Sequence, residues 1–346
     1  MDDTNDNKQP DADAPVEGVG ETRIVVSGTR PTGSLHLGHL NGALKNWLAL
    51  QEEFSCHFFV ADWHALTTEY ADPGSIAAST REMVLDWLAV GLDPERSVIF
   101  RQSDVREHAE LFLLFSMIIP VPWLERVPTY KEQQEQLEGR DLSTFGFLGY
   151  PLLQAADILV YGADRVPVGE DQLPHVELTR EVARRFNRLY GPVFPEPRGL
   201  VVEAARVPGT DGRKMSKSYG NAVALGDDPD DIRKRLGRMV TDTRRVRRTD
   251  PGDPADCPAF RLHEIYVDAE RRAELSAGCK SASIGCLDCK NVMIDEVLAE
   301  LAPIRERRAE LATRHGLVEE VLAAGAERAG RLAANTMERV RGAMGL

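Results

Sequence analysis

Ile24-Val25-Val26-Ser27-Gly28-Thr29-Arg30-Pro31-Thr32-Gly33-Ser34-Leu35-His36-Leu37-Gly38-His39 carries an apolar run into a turn and then into a helix. Ile24 to Ser27 reads as a short strand, Gly28, Pro31 and Gly33 shape the turn, and the helix continues to about Leu50. The pattern repeats outward. Strand runs recur at Cys56–Ala61, Ser97–Phe100 and Val166–Val168. Between them lie a helix after Ser75, with Ile76, Met83, Val84, Trp87 and Leu88 on one face, and helices over Tyr150–Tyr161 and Leu178–Tyr190. This alternation predicts an α/β fold, a doubly wound parallel sheet with helices on both faces. Ligands of such sheets sit at the carboxyl ends of the strands.

After about residue 222 strand runs become rare and the chain ends in an Ala/Arg/Glu-rich segment. Three parts are expected: a disordered acidic tail over 1–20, a nucleotide-binding α/β domain over 21–222, and a helical domain over 223–346. A chain of 346 residues fits two folded domains. The apolar fraction of 42% supplies a core and excludes full disorder. A net charge of −13 would, by itself, argue against a nucleic-acid-coating protein. The tail carries Asp2, Asp3, Asp6, Asp11, Asp13 and Glu17 against Lys8, a large share of that charge. The segment has no apolar core of a secretory signal, and the run Leu111–Leu124 is too short to span a bilayer and holds Pro120 and Pro122. A cytoplasmic protein without membrane contact is expected.

His36 and His39 stand three residues apart, a spacing that on a helix turns both imidazoles to one face. Gly38 between them leaves room for a ligand against the backbone, and the helix start offers a positive dipole end to phosphate. Far along the chain, Pro208-Gly209-Thr210-Asp211-Gly212-Arg213-Lys214-Met215-Ser216-Lys217-Ser218 reads as a mobile loop whose lysines can close over a polyphosphate.

An HLGH after the first strand and a KMSKS at the end of the α/β region resemble the class I aminoacyl-tRNA synthetases, and the likeness is to the tryptophanyl branch in particular. It extends over Asp62-Trp63-His64-Ala65-Leu66-Thr67, Tyr150 to Ile158, Val166 to Gln172, His175 to Arg180 and Arg185-Phe186-Asn187. The resemblance implies a Rossmann-type catalytic domain, a C-terminal anticodon-binding domain and a homodimer. It also implies ATP-dependent activation of tryptophan followed by transfer to its tRNA. The amino acid carboxylate attacks the α-phosphorus without a general base, so catalysis is positioning and charge stabilisation.

Carried over residue by residue, the resemblance gives His36, His39, Lys214, Lys217 and Lys131 catalytic roles on the phosphates, with Mg²⁺. It puts Arg30, Thr32, Gly33, Gly38, Gly169, Asp171, Met215, Ser216 and Ser218 at ATP together with those histidines and loop lysines. Tryptophan would lie among Val26, His64, Tyr150, Gln154, Asp157, Val166, Val168 and Gln172, with Asp157 accepting the indole N–H. Gln154 departs from the Met of many bacterial tryptophanyl enzymes, and glutamine there is common in tyrosyl ones, so tyrosine is an alternative substrate. The DWHALT and GEDQ-x-x-H runs speak against that alternative. A synthetase-like RNA-binding or redox module without ligase activity is a second one, and the intact motifs speak against it.

Cys257, Cys279, Cys286 and Cys289 crowd into one stretch and end in a CxxC. In a cytosolic chain such a set points to metal, and the spacing alone admits zinc or an iron–sulfur cluster. The resemblance extends to tryptophanyl enzymes that carry a [4Fe-4S] cluster on a similar run. Cys56, within an apolar strand, is expected in the core. Arg233, Lys234, Arg235, Arg238, Arg244, Arg245, Arg247 and Arg248 form a basic run with Asp242 as its one acid, and are expected to meet the tRNA backbone.

Overall fold

The computed structural model describes residues 23–127, 142–201 and 206–346. The tail expected over 1–20 and the candidate Lys131 lie outside the described residues.

β1 (Ile24–Thr29) leads through a turn to α1 (Leu37–His39), a π-helical stretch over Leu40–Leu44, and α2 (Lys45–Glu53). β2 (Ser55–Val60), α3 (Asp62–Glu69), α4 (Ile76–Val90) and β3 (Val98–Arg101) follow. Next come α5 (Glu107–Ser116), α6 (Val121–Glu125), α7 (Phe145–Leu159), β4 (Arg165–Val168), α8 (Leu173–Tyr190) and β5 (Arg198–Val201). The remainder is helical: α9 (Pro229–Gly237), α10 (Pro258–Tyr266), α11 (Ala269–Lys280), α12 (Cys286–Ala312) and α13 (Leu317–Met344). The strands form one parallel sheet in the order β3-β2-β1-β4-β5. The expected α/β class and its parallel sheet are therefore present, with short β5 as an added edge strand.

Alternate strand residues feed two separate layers. Val25, Phe58 and Ile99 point into one core with Trp47 and Trp87, while Val26, Phe59 and Phe100 point into the other with Phe115 and Phe186. Burial on both faces is why these strands read as continuous apolar runs. The C-terminal helices have no core of their own. Met293, Ile294, Val297 and Leu301 of α12 join the first layer. In α13, Val318, Val321 and Leu322 join the first layer, and Ala329, Ala333, Met337 and Val340 the second. This helix thus crosses the β3 edge and covers it. The division drawn after residue 222 separates chain segments that share their packing.

The site follows from the sheet. β1 is central, and the order reverses between β1 and β4. β1 pairs with β2 over six residues but with β4 only at Val25↔Arg165. The two strands part toward their carboxyl ends, which opens a crevice at the switch point.

Candidate functional site

A cavity of about 430 Å³ fills that crevice, within the usual range for small-molecule sites. Its walls include all eight residues expected around the amino acid: Val26, His64, Tyr150, Gln154, Asp157, Val166, Val168 and Gln172. Arg30 and Gly169, expected at ATP, line it too. Asp171, also expected at ATP, is not among the lining residues, and its carboxylate accepts from the Gln172 side-chain amide at 2.9 Å. Ser27, Gly28, Phe59, Ala61, Thr67, Ile158, Pro167 and His175 also line the cavity without having been singled out in the sequence.

Asp157 is 1% exposed. Its Oδ2 meets His64 Nε2 at 2.7 Å, and its Oδ1 meets Gln102 Nε2 and His108 Nδ1, each at 2.7 Å. Burial alone would raise this carboxyl, but His64 and His108 outweigh it and hold the group down to about 2. The site therefore presents a fixed anion in a cavity whose wall mixes apolar side chains (Val26, Phe59, Ala61, Ile158, Val166, Val168) with polar ones (Arg30, Thr67, Gln154, Gln172, His175). Asp62, at the start of α3, accepts from the Ser103 amide at 3.1 Å and from its hydroxyl at 2.5 Å, which ties the helix bearing His64 to the end of β3.

The two motif histidines come together, though not on one helix face. His36 is the N-cap of α1, with extended backbone (φ −132°, ψ 174°), and His39 is its third residue. His36 Nδ1 accepts from the Gly38 amide and His39 Nδ1 from the His36 amide, both at 3.1 Å. This reciprocal cap sets the ring centroids 3.9 Å apart. Gly38 makes room for His36 itself, since a Cβ there would lie 2.8 Å from its ring. The helix start is not an open anion site: the amides of Leu37, Gly38 and His39 are taken by Val223 O, His36 Nδ1 and His36 O. Burial, with the nearby Lys214 ammonium, lowers His36 to about 4, and burial, with His36 and Lys214, lowers His39 to about 3. Both rings are neutral at pH 7. With Nδ1 accepting, each proton sits on Nε2, which makes Nε2 the donor of each ring.

The lysine loop is fastened rather than loose. Met215 is buried, and its amide donates to Val207 O at 3.0 Å. Asn221, also buried, accepts from the Ser216 amide at 2.8 Å and donates to Asp211 and Lys214 O. Ser216 and Ser218 hydroxyls lie 2.9 Å apart. The sequence reading passed over Asn221, which is the staple. Lys214 and Lys217 remain exposed. Lys217 Nζ rests 3.5 Å from Thr32 O, over Gly33, whose φ of +105° and lack of Cβ permit the approach. A second cavity, about 180 Å³, lies between the two motifs and is lined by His36, Lys217, Ala224, Asp227 and Arg235, among others.

The basic run is more neutralised than its sequence implies. Arg233 pairs with Asp295, Arg235 with Asp227, Arg244 with Asp242, Asp253 and Asp256, and Arg248 with Asp288. Most of these acids come from outside the run, so a local count could not see them. Arg245 turns inward to Arg248 O and Ile284 O, with Cys279 Sγ at 3.9 Å. Lys234, Arg238 and Arg247 stay exposed.

Cys56 is fully buried, as expected, and burial pushes its thiol up to about 12. Cys257, Cys279, Cys286 and Cys289 are half-buried at the ends of α10, α11 and α12 and act electrostatically on one another. Burial first, then the other three thiols, raises Cys289 to about 12. Among the described residues, however, no group of three or more His, Cys, Asp or Glu side chains is set to hold a metal ion. Nor, among them, is any helix long and apolar enough to cross a membrane.

Residues 20–302 match the family model of class I tRNA synthetases for W and Y. The tryptophan–tRNA ligase of Thermotoga maritima is 54% identical over 93% of this chain and 99% of its own length. That of Ralstonia nicotianae is 47% identical over 93% and 98%. The crystal structure of Campylobacter jejuni tryptophanyl-tRNA synthetase complexed with ADP and tryptophan superposes with a TM-score of 0.83 at 33% identity, covering 94% of this chain and all of that one.

Proposed function

We infer, from the premise that this chain belongs to the class I tRNA synthetases of the tryptophan and tyrosine family, that it is a tryptophan–tRNA ligase. The observation that carries the choice of amino acid is the ionised, buried Asp157 beside the apolar side chains of Val26, Phe59, Ala61, Ile158, Val166 and Val168 in the crevice at the sheet's switch point. Indole has a broad apolar surface and a single N–H donor, and it fits one fixed acceptor among such side chains.

Tryptophan's carboxylate attacks the α-phosphorus of ATP. The new P–O bond gives tryptophanyl-adenylate, and the bond to the β-phosphate breaks to release pyrophosphate. A ribose hydroxyl of the tRNA's terminal adenosine then attacks the acyl carbon, and AMP leaves. In our reading the Nε2–H groups of His36 and His39 hold phosphate oxygens, and Lys214 and Lys217 neutralise the departing pyrophosphate, with Mg²⁺ accompanying ATP. Pyrophosphate exchange into ATP stimulated by tryptophan and not by tyrosine tests the function. Stimulation by tyrosine would favour the tyrosyl reading that Gln154 keeps open, and exchange with neither amino acid would favour a non-catalytic module.

Two finer readings go with it. Cys257, Cys279, Cys286 and Cys289 are the residues that would hold an iron–sulfur cluster. Support comes from the electrostatic influence of the four thiols on one another from three helix ends, with Arg245 tying the intervening loops together. Bound there, such a cluster would pin α10, α11 and α12 to one another. Iron, sulfide and zinc content of anaerobically purified protein tests it, and zinc alone would point to the other metal. Homodimerisation is supported by exposed Leu113 of α5, Met117 just after it, Val121 of α6 and Phe145 of α7. Solution mass of the wild type beside Met117→Glu tests it.

A further inference from the structure

His108 and Tyr161 lie behind the cavity and do not line it. Both are buried, His108 completely. His108 Nδ1 meets Asp157 Oδ1 at 2.7 Å, and its Nε2 meets the Tyr161 hydroxyl at 2.6 Å. The flanking rings of Phe59 and Phe100 complete its surroundings. An ionised carboxylate can only accept, so the proton of a neutral His108 must sit on Nδ1. Nε2 is then bare and accepts the Tyr161 O–H. The opposite tautomer would set a bare nitrogen against the carboxylate.

The same arithmetic applies to Asp157. A carboxylate has about four acceptor directions. Gln102 and His108 both donate to Oδ1, and His64 donates to Oδ2. One direction is left, on Oδ2. We propose that Tyr161 and His108 are positioning residues that lock Asp157 in this state, so that the site accepts a ring bearing one N–H donor and rejects an isosteric ring without one. The proposal rests on tryptophan being the substrate. It assigns selectivity to a relay that never touches the amino acid.

Pyrophosphate exchange with tryptophan and with its benzothiophene analogue, in which sulfur replaces the N–H, tests the relay in Tyr161→Phe. Loss of about one hydrogen bond predicts a KM for tryptophan raised roughly tenfold. Neither kcat nor the KM for the analogue should move. His108→Asn, which keeps a donor near the Nδ1 position and needs no tyrosine, should retain the preference. Parallel losses on both substrates in Tyr161→Phe, or no change on either, would overturn the proposal. A second readout does not depend on the substrate: nitrogen-15 histidine spectra of the wild type should place the His108 proton on Nδ1, and a proton on Nε2 would overturn the relay. Absence of tryptophan-stimulated exchange would instead count against the ligase reading, with the spectrum still deciding the tautomer.

Discussion

The Arg308 guanidinium of α12 lies 2.6 Å from the Asp86 carboxylate of α4, and Asp86 in turn accepts the Leu35 amide at 3.0 Å. Leu35 immediately precedes the His36 cap. A C-terminal helix is thereby joined through one buried acid to the loop that carries the His36–His39 pair. Burial pushes Asp86 up and the Arg308 bond pulls it back. Removing one partner leaves the other uncompensated, so Arg308→Met should cost about 3–5 kcal/mol in denaturant melts. The double variant Arg308→Met with Asp86→Leu should recover part of that loss while still impairing adenylate formation, because the Leu35 amide loses its acceptor. Additive losses in the double variant would show that the two side chains are not coupled.

The histidine pair makes a prediction in pH. His36 and His39 are lowered to about 4 and 3 from an ordinary value of 6.5. Below pH 6.5 the unfolded chain takes up protons that the folded pair refuses. The stability this pair contributes is therefore full above pH 6.5 and is lost progressively as pH falls toward the folded values. His57 and His175, both lowered to about 4 chiefly by burial, act in the same direction. The melting temperature should drop by at least a few degrees between pH 7 and pH 5. The pair's contribution to exchange rate, read as the wild-type profile against that of His39→Asn, should stay flat over the same interval. A pair-dependent limb near pH 6.5 would mean the rings work as cations.

Much of this was legible in the chain and some was not, for reasons that separate by distance in sequence. Strands such as Cys56–Val60 announce themselves because both faces are buried, so every residue but His57 is apolar. Short β5, Arg198–Val201, has two half-exposed residues and two exposed ones, and gave no such run. Part of the cavity wall follows from position, since His64 lies on the helix after β2, Val168 ends β4 and Gln172 follows it, while Val26 inside β1 and Tyr150, Gln154 and Asp157 of α7 were legible only through their motifs. Gln102 and His108 follow β3 as His64 follows β2, and that position was their only signal. Tyr161 lies in the turn two residues past the end of α7, and nothing local marks its bond to a residue 53 positions away. The ion pairs of the basic run were hidden for the same reason, since most of its partner acids lie outside it, between residues 227 and 295.

Lys217 supplies a third test. Its ammonium reaches from the KMSKS loop to Thr32 O at 3.5 Å, which holds the cation beside the turn that follows β1. Lys217→Ala should lower the exchange rate constant by about 10²–10³ with tryptophan affinity unchanged, the signature of charge stabilised only in the transition state. Gly33→Ala should act in the same direction, because its φ of +105° and the overlying lysine both exclude a Cβ. A proportionate rise in tryptophan Kd in either variant would place the loop in amino acid binding instead.

Recognition of tRNA can be divided among the basic residues by what each already touches. Arg233, Arg235, Arg244 and Arg248 face carboxylates, and Arg245 is committed to the cysteine loops. Lys234, Arg238 and Arg247 are exposed and are the side chains best placed to exchange counterions for phosphates. Removing one cation that neutralises a phosphate should make the slope of log affinity against log salt shallower by roughly 0.7–0.9. The triple change Lys234→Ala, Arg238→Ala, Arg247→Ala should therefore weaken tRNA binding and flatten its salt dependence, with tryptophan-stimulated exchange intact. Arg233→Ala should do less, because Asp295 screens that charge before any RNA arrives. Equal effects from the two would mean that the intramolecular pairs open on binding and that the whole basic run, Arg233 to Arg248, meets the RNA.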